Sequence, residues 1–458
     1  MPLDLKDVVL LRSSQGGQID RVKMAFNNGA DPNSRDRDGT TALMFASRNG
    51  FTEIVKCLIL KGANVNQKRK VFGTTALMLA VAKNQIDTVK YLLANDADVN
   101  LKNNDGSTAL MAACANGNLP VVRLLLAANA EVNVVDRDRD TPLGLAVRAN
   151  HAEIARSLLE KGADPNTKLV NSQTVLMVAA RQGNVEIVSS LIAVGGDVNS
   201  QDKEGETALI KASDRGQLET VRLLLEKGAD VSVKTGNGST ALMAAAASGN
   251  SAIVSTLLDA GAEINAKDMD GETALNFAVV DENIDLVSLL LDRGANLNRS
   301  NHLGDTPLLV AAANGYTEVV RLLRDRGADL EVSNFNETPL SLAACQGFAD
   351  TVQVLLEGGA NPNVTDEKGK TPLMKAADRD DRATLQTLLA GGADVNLQDT
   401  AGATALMWAA HRGYTETVKA LLAVGANIET KNRGGYRAID LAEFNHYPAV
   451  VELLTTEI

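Results

Sequence analysis

The chain has 458 residues, of which 45% are hydrophobic and 3% are aromatic, and its formal net charge is -12. One hydrophobic core rarely grows to this length, so the composition predicts several domains or one stacked array, and it excludes a disordered chain. An acidic surface repels phosphate backbones, and no apolar run is long enough to span a bilayer. We therefore expect neither a nucleic-acid partner nor membrane insertion.

The three cysteines are isolated from one another along the chain. Cys57, Cys114 and Cys345 cannot build a disulfide framework, and the first residues do not resemble a secretory signal. Both observations indicate a reducing compartment, so we expect a cytoplasmic protein. We also expect it to be a monomer.

Residues 1–36 form the first predicted element, which is a degenerate copy of the unit that follows. Gly17, Gly29 and Asn33 keep the spacing of that unit, but Val8 takes the place of its threonine. The end members of a stack need an atypical outer face, because no neighbour covers them. This segment is therefore predicted to be an N-terminal capping repeat.

Residues 37–432 contain twelve copies of one pattern. In each copy except that of Thr174, a threonine is followed by Pro or Ala and then by Leu. The copies are 33 residues apart, apart from one step of 34 and one of 32, and this regularity indicates an array of repeats. The threonines are Thr41, Thr75, Thr108, Thr141, Thr174, Thr207, Thr240, Thr273, Thr306, Thr338, Thr371 and Thr404.

Each copy predicts two short helices. The threonine suits a helix N-cap, and proline follows it in several copies, as Pro142 does. Leucine and alanine then lie three residues apart, on one face of a first helix. Nine residues after the threonine comes Gly, Asn or Asp, which tolerate the positive φ that ends a helix. Glu282 occupies this place in one copy and does not fit that explanation.

A second helix follows, and its apolar pairs are exemplified by Ile54 and Val55. It ends at another glycine, such as Gly62, and an Ala-Asp-x-Asn turn comes next, as at residues 163–166. A hairpin-like finger then leads to the next threonine. The predicted order is therefore helix, turn, helix and finger in every copy.

The period of 33 residues, the Gly-x-Thr-Pro/Ala-Leu opening and the Leu-Leu-x-x-Gly-Ala-Asp-x-Asn close resemble the ankyrin repeat over nearly the whole chain. The resemblance implies an all-α solenoid of helix-turn-helix units with short β-hairpin-like fingers. The family often has histidine three residues after the threonine, where this chain repeatedly has methionine, as at Met44 and Met374. We expect the polarity of that place to be lost. The methionine-rich version resembles bacterial ankyrin arrays.

Residues 433–458 form the last predicted element. Arg437, Ala438 and Ile439 stand where Thr, Pro and Leu belong, and His446 takes the place of the glycine between the helices. The segment is therefore predicted to be a C-terminal capping repeat.

Side chains with catalytic or metal-binding potential do not cluster. The four histidines lie in different repeats, and the Asp-Arg-Asp-Arg-Asp run at 136–140 lacks the glycine and distant glutamate of a calcium loop. We find no phosphate-binding loop and no motif for a catalytic serine or a zinc protease. We therefore expect no enzyme activity, no cofactor and no metal.

The resemblance implies that a partner contacts the finger tips and the exposed side of the first helices, which together form a concave face. The variable places lie four, three and one residues before each threonine and seven and eight after it. Those in the middle of the array are acidic, so we expect a protein partner with a basic segment. An acidic surface that only improves solubility is the alternative. The acidic candidates are Glu204, Glu206, Asp270, Glu272, Asp281 and Asp305.

Apolar side chains at these places are further candidates, because a solvated finger does not need them. Phe72, Leu303 and Phe335 lie three residues before a threonine, and Trp408 lies four after one. The place of Trp408 also admits Lys211 and Lys375, so we expect it not to be fully buried. Packing against the next repeat is the alternative reading of each apolar candidate.

These observations favour a non-enzymatic scaffold or adaptor that binds a protein partner along the concave face. Three other hypotheses fit the same pattern. They are a dedicated inhibitor or chaperone of one partner, a secreted bacterial effector, and a subunit that holds a catalytic partner.

Overall fold

The computed structural model of the chain describes residues 4–456, which form 28 α-helices in consecutive pairs. Contacts within the chain divide it into two compact units, one ending at Gly236 and the other beginning at Asn237. We call them unit 1 and unit 2. Each is an all-α repeat solenoid, because every helix pair packs against the next pair of its own unit. The first helix of a pair follows the repeated threonine, and the second helix follows the turn after it.

Unit 1 contains seven helix pairs, and a 3-10 turn at Val170–Ser172 lies in the finger before its sixth pair. The helices are α1 Leu5–Gln15, α2 Ile19–Asn27, α3 Ala42–Asn49, α4 Thr52–Leu60, α5 Ala76–Ala82, α6 Ile86–Leu93, α7 Ala109–Ala115, α8 Leu119–Ala127, α9 Pro142–Arg148, α10 Ala152–Glu160, α11 Val175–Gln182, α12 Val185–Ala193, α13 Ala208–Asp214 and α14 Leu218–Glu226.

Unit 2 contains seven further pairs, in which first helices of six to eight residues alternate with second helices of nine residues. They are α15 Ala241–Ala247, α16 Ser251–Asp259, α17 Ala274–Val280, α18 Ile284–Asp292, α19 Pro307–Asn314, α20 Thr317–Asp325, α21 Pro339–Gln346, α22 Ala349–Glu357, α23 Pro372–Ala377, α24 Arg382–Ala390, α25 Ala405–Arg412, α26 Thr415–Ala423, α27 Ala438–Phe444 and α28 Pro448–Thr456. Over residues 4–456, no helix is long and apolar enough to cross a membrane.

The repeated threonines cap the first helices, as the sequence predicts, except Thr273, whose hydroxyl instead donates to Asn276 Oδ1 at 2.6 Å. The backbone N–H of Met78 donates to Thr75 Oγ1 at 3.3 Å, and that of Leu309 donates to Thr306 Oγ1 at the same distance. Such a bond satisfies an amide that the helix leaves without a partner, and it is worth about 1 kcal/mol. Each of these helices therefore begins one residue after its threonine.

Three of the seven methionines that lie three residues after the threonine keep a polar role, contrary to our expectation. In three repeats the backbone N–H of the threonine donates to the methionine sulphur at 3.4–3.5 Å. A thioether is a weak acceptor, but it faces an amide group that would otherwise be buried without a bond. The pairs are Thr41 with Met44, Thr174 with Met177, and Thr371 with Met374.

The turns between paired helices have the positive φ that their residue types predict. Gly50 has a φ of 72°, and Asn84, Asn150 and Asp380 have φ values of 56°, 63° and 57°. Glu282 also lies in this region, with a φ of 52°. The repeat therefore imposes the left-handed conformation even where the residue type does not favour it.

The core of each unit lies between the layer of first helices and the layer of second helices. Leu43 and Ala46, three residues apart on α3, are both buried, and Leu58 of α4, which packs against α3, is fully buried. Each buried leucine contributes roughly 1.5–3 kcal/mol relative to an exposed one. Because this pattern recurs in each repeat, the core continues from pair to pair within a unit.

The fingers are short turns that are braced by an acidic or amide side chain. In the first one, Asp36 Oδ1 accepts hydrogen bonds from the backbone N–H groups of Asp38 and Thr40, at 2.9 and 2.8 Å. Backbone bonds also link neighbouring fingers, as between His302 N and Asp270 O at 2.8 Å in unit 2. Such bonds join several neighbouring fingers within each unit.

Candidate partner-binding surface

The finger and the first helix of a repeat share one partly exposed surface. In unit 1, Arg148 at the end of α9 donates to Asp140, the residue before the capping threonine, at 2.5 and 3.0 Å. In unit 2, Lys370 and Asp378 make the equivalent pair at 3.2 Å. Side chains one residue before and seven residues after the threonine therefore face each other. We call this surface, together with the finger tips, the finger face of its unit.

Two of the acidic candidates lie on the finger face of unit 1. Glu204 is exposed at a finger tip, and its backbone oxygen accepts from the N–H of Gly236 at 2.7 Å. Glu206 is half-buried and pairs with the ammonium group of Lys211. Only Glu204 is thus available to a partner without breaking an ion pair.

The other four acidic candidates lie on the finger face of unit 2. Asp270 and Asp281 are exposed, and neither makes an ion pair with another described residue. Glu272 and Asp305 are half-buried, and each accepts a hydrogen bond at 2.7 Å from an asparagine amide of the next finger. The surface carries negative charge on both sides, at the finger tip and at the end of the first helix.

The apolar candidates Leu303 and Phe335 lie at neighbouring finger tips of unit 2, with 74% and 79% of their surfaces exposed. Met269, on the finger before them, is 67% exposed. Phe335 is held at a φ of 49° in a two-residue turn, which the backbone bonds between Asn334 and Glu337 close at 3.1 and 2.9 Å. A bulky side chain rarely adopts this conformation, so folding alone does not account for Phe335.

Phe72 is the apolar candidate of unit 1. It lies at a finger tip, it is 59% exposed, and its φ is 67°. The guanidinium carbon of Arg69 lies 5.9 Å from the ring centroid, so part of the ring faces a cation of its own finger. Phe72 and Phe335 therefore share an exposed position and a left-handed backbone, each within its own unit.

Trp408 is held by its surroundings in unit 2. The side chain is half-buried, and its Nε1 donates to Asp399 Oδ2 at 3.0 Å. The ammonium group of Lys370, on the preceding finger, lies 3.4 Å from the ring centroid. These contacts tie the indole to two fingers and leave only part of it to a partner.

In the repeats that hold lysine four residues after the threonine, this place is buried, contrary to our expectation, whereas at Trp408 it is half-buried as expected. Lys211 Nζ lies 2.8 Å from Asp202 Oδ2 and also pairs with Glu206. Burial lowers the pKa of Lys211, but its hydrogen bonds to the two carboxylates raise the pKa above the ordinary value. Both charges of the Lys211–Asp202 pair are buried, which is why each needs the other.

Lys375 is the equivalent residue of unit 2. Its Nζ lies 2.5 Å from Glu337 Oε1, 2.9 Å from Ser341 Oγ and 3.3 Å from Asp366 Oδ2. Burial raises the pKa of Asp366, but the backbone N–H of Lys370 and the charge of Lys375 outweigh it and hold the pKa below the ordinary value. A signal for these pairs was present in the sequence, because an aspartate precedes each lysine by nine residues.

Metal-binding groups do not converge in the part of the chain that the structure describes, where no three His, Cys, Asp or Glu side chains could hold one ion. His411 Nδ1 lies 3.0 Å from the amide of Asn445, which accounts for one of the four histidines. The most unusual features of the surface, which are exposed apolar side chains and the left-handed backbone of Phe72 and Phe335, therefore lie on the finger face.

Comparison with known proteins agrees with this architecture. The model of the family described as ankyrin repeats matches residues 10–103, 95–169, 176–268, 266–334, 327–399 and 373–458. A search of the curated proteins gives no match. Among solved structures, the crystal structure of the human ASB11 ankyrin repeat domain is similar at 29% identity, over 48% of this chain and 99% of that chain, with a TM-score of 0.44. Since the family matches extend along nearly all of the sequence, this chain belongs to the ankyrin-repeat family.

Proposed function

We propose that the chain binds a protein partner along the finger face and serves as a scaffold or adaptor that catalyses no reaction itself. The observation that carries the proposal is the row of exposed apolar side chains on three neighbouring fingers of unit 2. Burial of such side chains by a partner releases water and favours binding. Phe335 is of the aromatic type that is enriched among residues that dominate binding energy.

The family and the charge distribution support this proposal. Ankyrin repeats are generally protein–protein interaction modules, and the family is typically non-enzymatic. The exposed carboxylates of Glu204, Asp270 and Asp281 favour a partner with a basic segment, because complementary charge speeds encounter and sets the register of binding.

We further propose that the protein acts as a monomer in the cytoplasm. Its three cysteines are free thiols, as expected in a reducing compartment. Cys114 is fully buried, and burial raises the pKa of its thiol, so it behaves as a small apolar side chain in the core.

The test is recovery of partners from an extract of the source cells on the immobilised chain. A Leu303→Ala, Phe335→Ala variant removes two apolar tips without changing charge. Because both side chains are exposed, the variant should fold as the wild type does, which circular dichroism checks. We expect it to lose most of the bound partner.

A matched control changes apolar residues outside the finger face. Leu60→Ala with Val424→Ala alters side chains at the ends of second helices, with 80% and 49% of their surfaces exposed. The control should recover the partner in full. Equal recovery by the finger variant, the control and the wild type would contradict the proposal.

A further inference from the structure

Three consecutive repeats of unit 2, those of Thr273, Thr306 and Thr338, carry two apolar rows on their finger face. The tip row consists of Met269, Leu303 and Phe335. The helix row lies four and seven residues after the threonines, and all its members are half-buried or exposed. The helix row consists of Phe277, Val280, Val310, Ala313, Leu342 and Cys345.

The two rows lie on opposite sides of a shared surface. The finger residue before the threonine faces the helix residue seven places after it, as the pair of Lys370 and Asp378 shows in the same unit. In the three repeats, that finger residue is Glu272, Asp305 or Glu337, which lies between the tip row and the helix row along the chain. An occupant must therefore present apolar atoms towards both the fingers and the helices.

The unpaired charge around these rows has one sign, because Lys375 of the next repeat is already paired with Glu337. Asp270 lies beside the tip row, and Asp281 and Glu282 lie at the end of the helix row; all three are exposed and free of ion pairs with the described residues. The variable places of the three repeats contain no lysine or arginine. A complementary occupant thus has an apolar side flanked on both edges by Lys or Arg.

The spacing of the fingers selects the conformation of the occupant. His302 N donates to Asp270 O at 2.8 Å, and Asn334 Nδ2 donates to Leu303 O at 2.9 Å, so the three fingers are tied together. The first helices of neighbouring repeats pack against each other, and packed helices lie about 8–10 Å apart, so the fingers recur about every 10 Å. Seven residues of α-helix rise about 10.5 Å and make nearly two turns, so one helix face meets successive fingers.

An extended chain fits the same spacing less well. It covers about 10 Å in three residues, but successive side chains of a strand point to opposite faces. Every second finger would then meet a side chain that points away. A helix instead offers two apolar positions per seven residues, one for the tip row and one for the helix row.

We propose that the finger face of these three repeats binds a basic amphipathic α-helix of another protein. This inference rests on the proposed function and specifies its partner. The bound helix spans two finger intervals, or about 14 residues at 1.5 Å per residue. Its apolar residues recur at i, i+3 or i+4, and i+7, and Lys or Arg residues flank them and face Asp270, Asp281 and Glu282.

The test is selection of displayed random peptides of 20 residues on the immobilised full chain. The library is passed first over a Leu303→Ser, Phe335→Ser variant, which removes peptides that bind elsewhere. We expect the enriched peptides to carry net positive charge, to lack internal proline and to show the helical apolar spacing. Enrichment of proline-containing, alternating or acidic sequences, or no enrichment at all, would overturn the inference.

A second measurement uses the best enriched peptide as a labelled probe in fluorescence anisotropy. We expect at least tenfold weaker binding to the Leu303→Ser, Phe335→Ser variant and to an Asp270→Asn, Asp281→Asn variant, and unchanged binding to Leu60→Ala. A peptide with the same composition in scrambled order should also bind at least tenfold more weakly. Equal affinities across these variants or peptides would count against the helix.

The two proposals can fail separately. If the cellular partner is lost from the Leu303→Ala, Phe335→Ala variant while the selection fails as above, the helix inference is wrong and the proposed function stands. If the partner remains bound to that variant, the proposed function fails at this surface. A helical peptide that competes with the cellular partner would support both.

Discussion

Unit 1 and unit 2 each bury a lysine four residues after the capping threonine, but the two lysines hold different parts of the chain together. In unit 1, Lys211 pairs with Asp202 and Glu206, and both belong to its own finger. The lysine therefore braces one finger against the first helix of the same repeat.

In unit 2, Lys375 pairs with Asp366 of its own finger and with Glu337 of the preceding finger. The difference follows from the residue before the threonine. In unit 1 that residue is Glu206, which accepts from the lysine, whereas in unit 2 it is Lys370, which cannot. Lys375 therefore reaches across to the neighbouring repeat and connects two repeats instead of bracing one.

One position of a repeat can therefore stabilise either the repeat or the interface between repeats. Stability in a solenoid is approximately a sum of these two kinds of contribution, so they can be separated by mutation.

The largest effect is expected from disrupting one unit alone. Leu223→Pro in α14 removes a helix hydrogen bond and creates a clash, which costs about 3 kcal/mol or more. Trp408 is the single tryptophan and lies in unit 2, so its fluorescence reports on that unit while circular dichroism reports on all helices. We expect two unfolding transitions in denaturant. Circular dichroism should detect an earlier transition, in which unit 1 unfolds, while the midpoint of the fluorescence transition should be unchanged.

Leu223→Ala is the control for the loss of the side chain without the proline ring. It should shift the first step much less. One cooperative transition, identical by both probes in the proline variant, would show that the two units do not unfold separately.

Removal of each buried lysine tests whether Lys211 braces one repeat and Lys375 connects two. Lys211→Ala and Lys375→Ala both leave buried carboxylates without their cation, and we expect each to lower the free energy of unfolding by about 3 kcal/mol. Amide hydrogen exchange should accelerate in α13 alone for the unit 1 variant. For the unit 2 variant it should accelerate in both α21 and α23, because Lys375 connects their repeats.

Lys419→Ala is a matched control, because this lysine is exposed and its pair with Glu416 lies on the surface. It should change neither stability nor exchange appreciably. If Lys211→Ala and Lys375→Ala accelerate exchange over the same number of helices, the distinction between a brace and a connection is wrong.

The two pairs should also differ in their response to pH. The pKa of Asp366 is lowered, so its stabilising contribution is present above the ordinary pKa and is lost as the pH falls through the lowered one. The pKa of Lys211 is raised, so its contribution is present below the ordinary pKa and is lost as the pH rises through the raised one.

Unit 2 should therefore weaken near Lys375 in acid, and unit 1 near Lys211 in strong alkali. Denaturant midpoints measured across pH test this. The decrease of the midpoint in acid should be smaller in the Asp366→Asn variant than in the wild type, and the decrease in alkali should be smaller in the Lys211→Met variant. If the midpoint of the Asp366→Asn variant falls in acid as much as that of the wild type, Asp366 is not the group responsible.

The smallest effect concerns the turns between helices. Unit 1 uses glycine or asparagine at the left-handed position of its repeats, whereas unit 2 places Glu282 there at a φ of 52°. Glu282→Gly should stabilise unit 2 by up to about 1 kcal/mol, because glycine adopts this φ without strain. Thermal unfolding followed by Trp408 fluorescence measures the change, and a lower midpoint would show that Glu282 is not strained.

Much of the fold could be predicted because the repeat imposes it locally. The threonine caps, the apolar pair of Leu43 and Ala46, and the left-handed turns depend on residues close in sequence. Glu282 shows the limit of reasoning from residue type, since the turn after the first helix takes the left-handed conformation whichever residue occupies it. The roles of the methionine sulphurs were also missed, because sulphur is a weak acceptor whose use depends on the final packing.

The candidate surface was harder to predict than the fold. The exposed positions of Phe72, Leu303 and Phe335 follow from their place on the fingers. The burial of Lys211 and Lys375 does not, because it depends on carboxylates brought from other parts of the finger or from a neighbouring repeat. A buried charge can be predicted only when its partner can be placed as well.

The central claim is that a protein partner is bound by the fingers of unit 2. Hydrogen–deuterium exchange of the chain, with and without the partner recovered from cells, tests it most directly. We expect protection at residues 268–272, 301–305 and 334–337, with little change in the second helices α18, α20 and α22. Protection confined to those second helices, with the fingers unchanged, would contradict the claim.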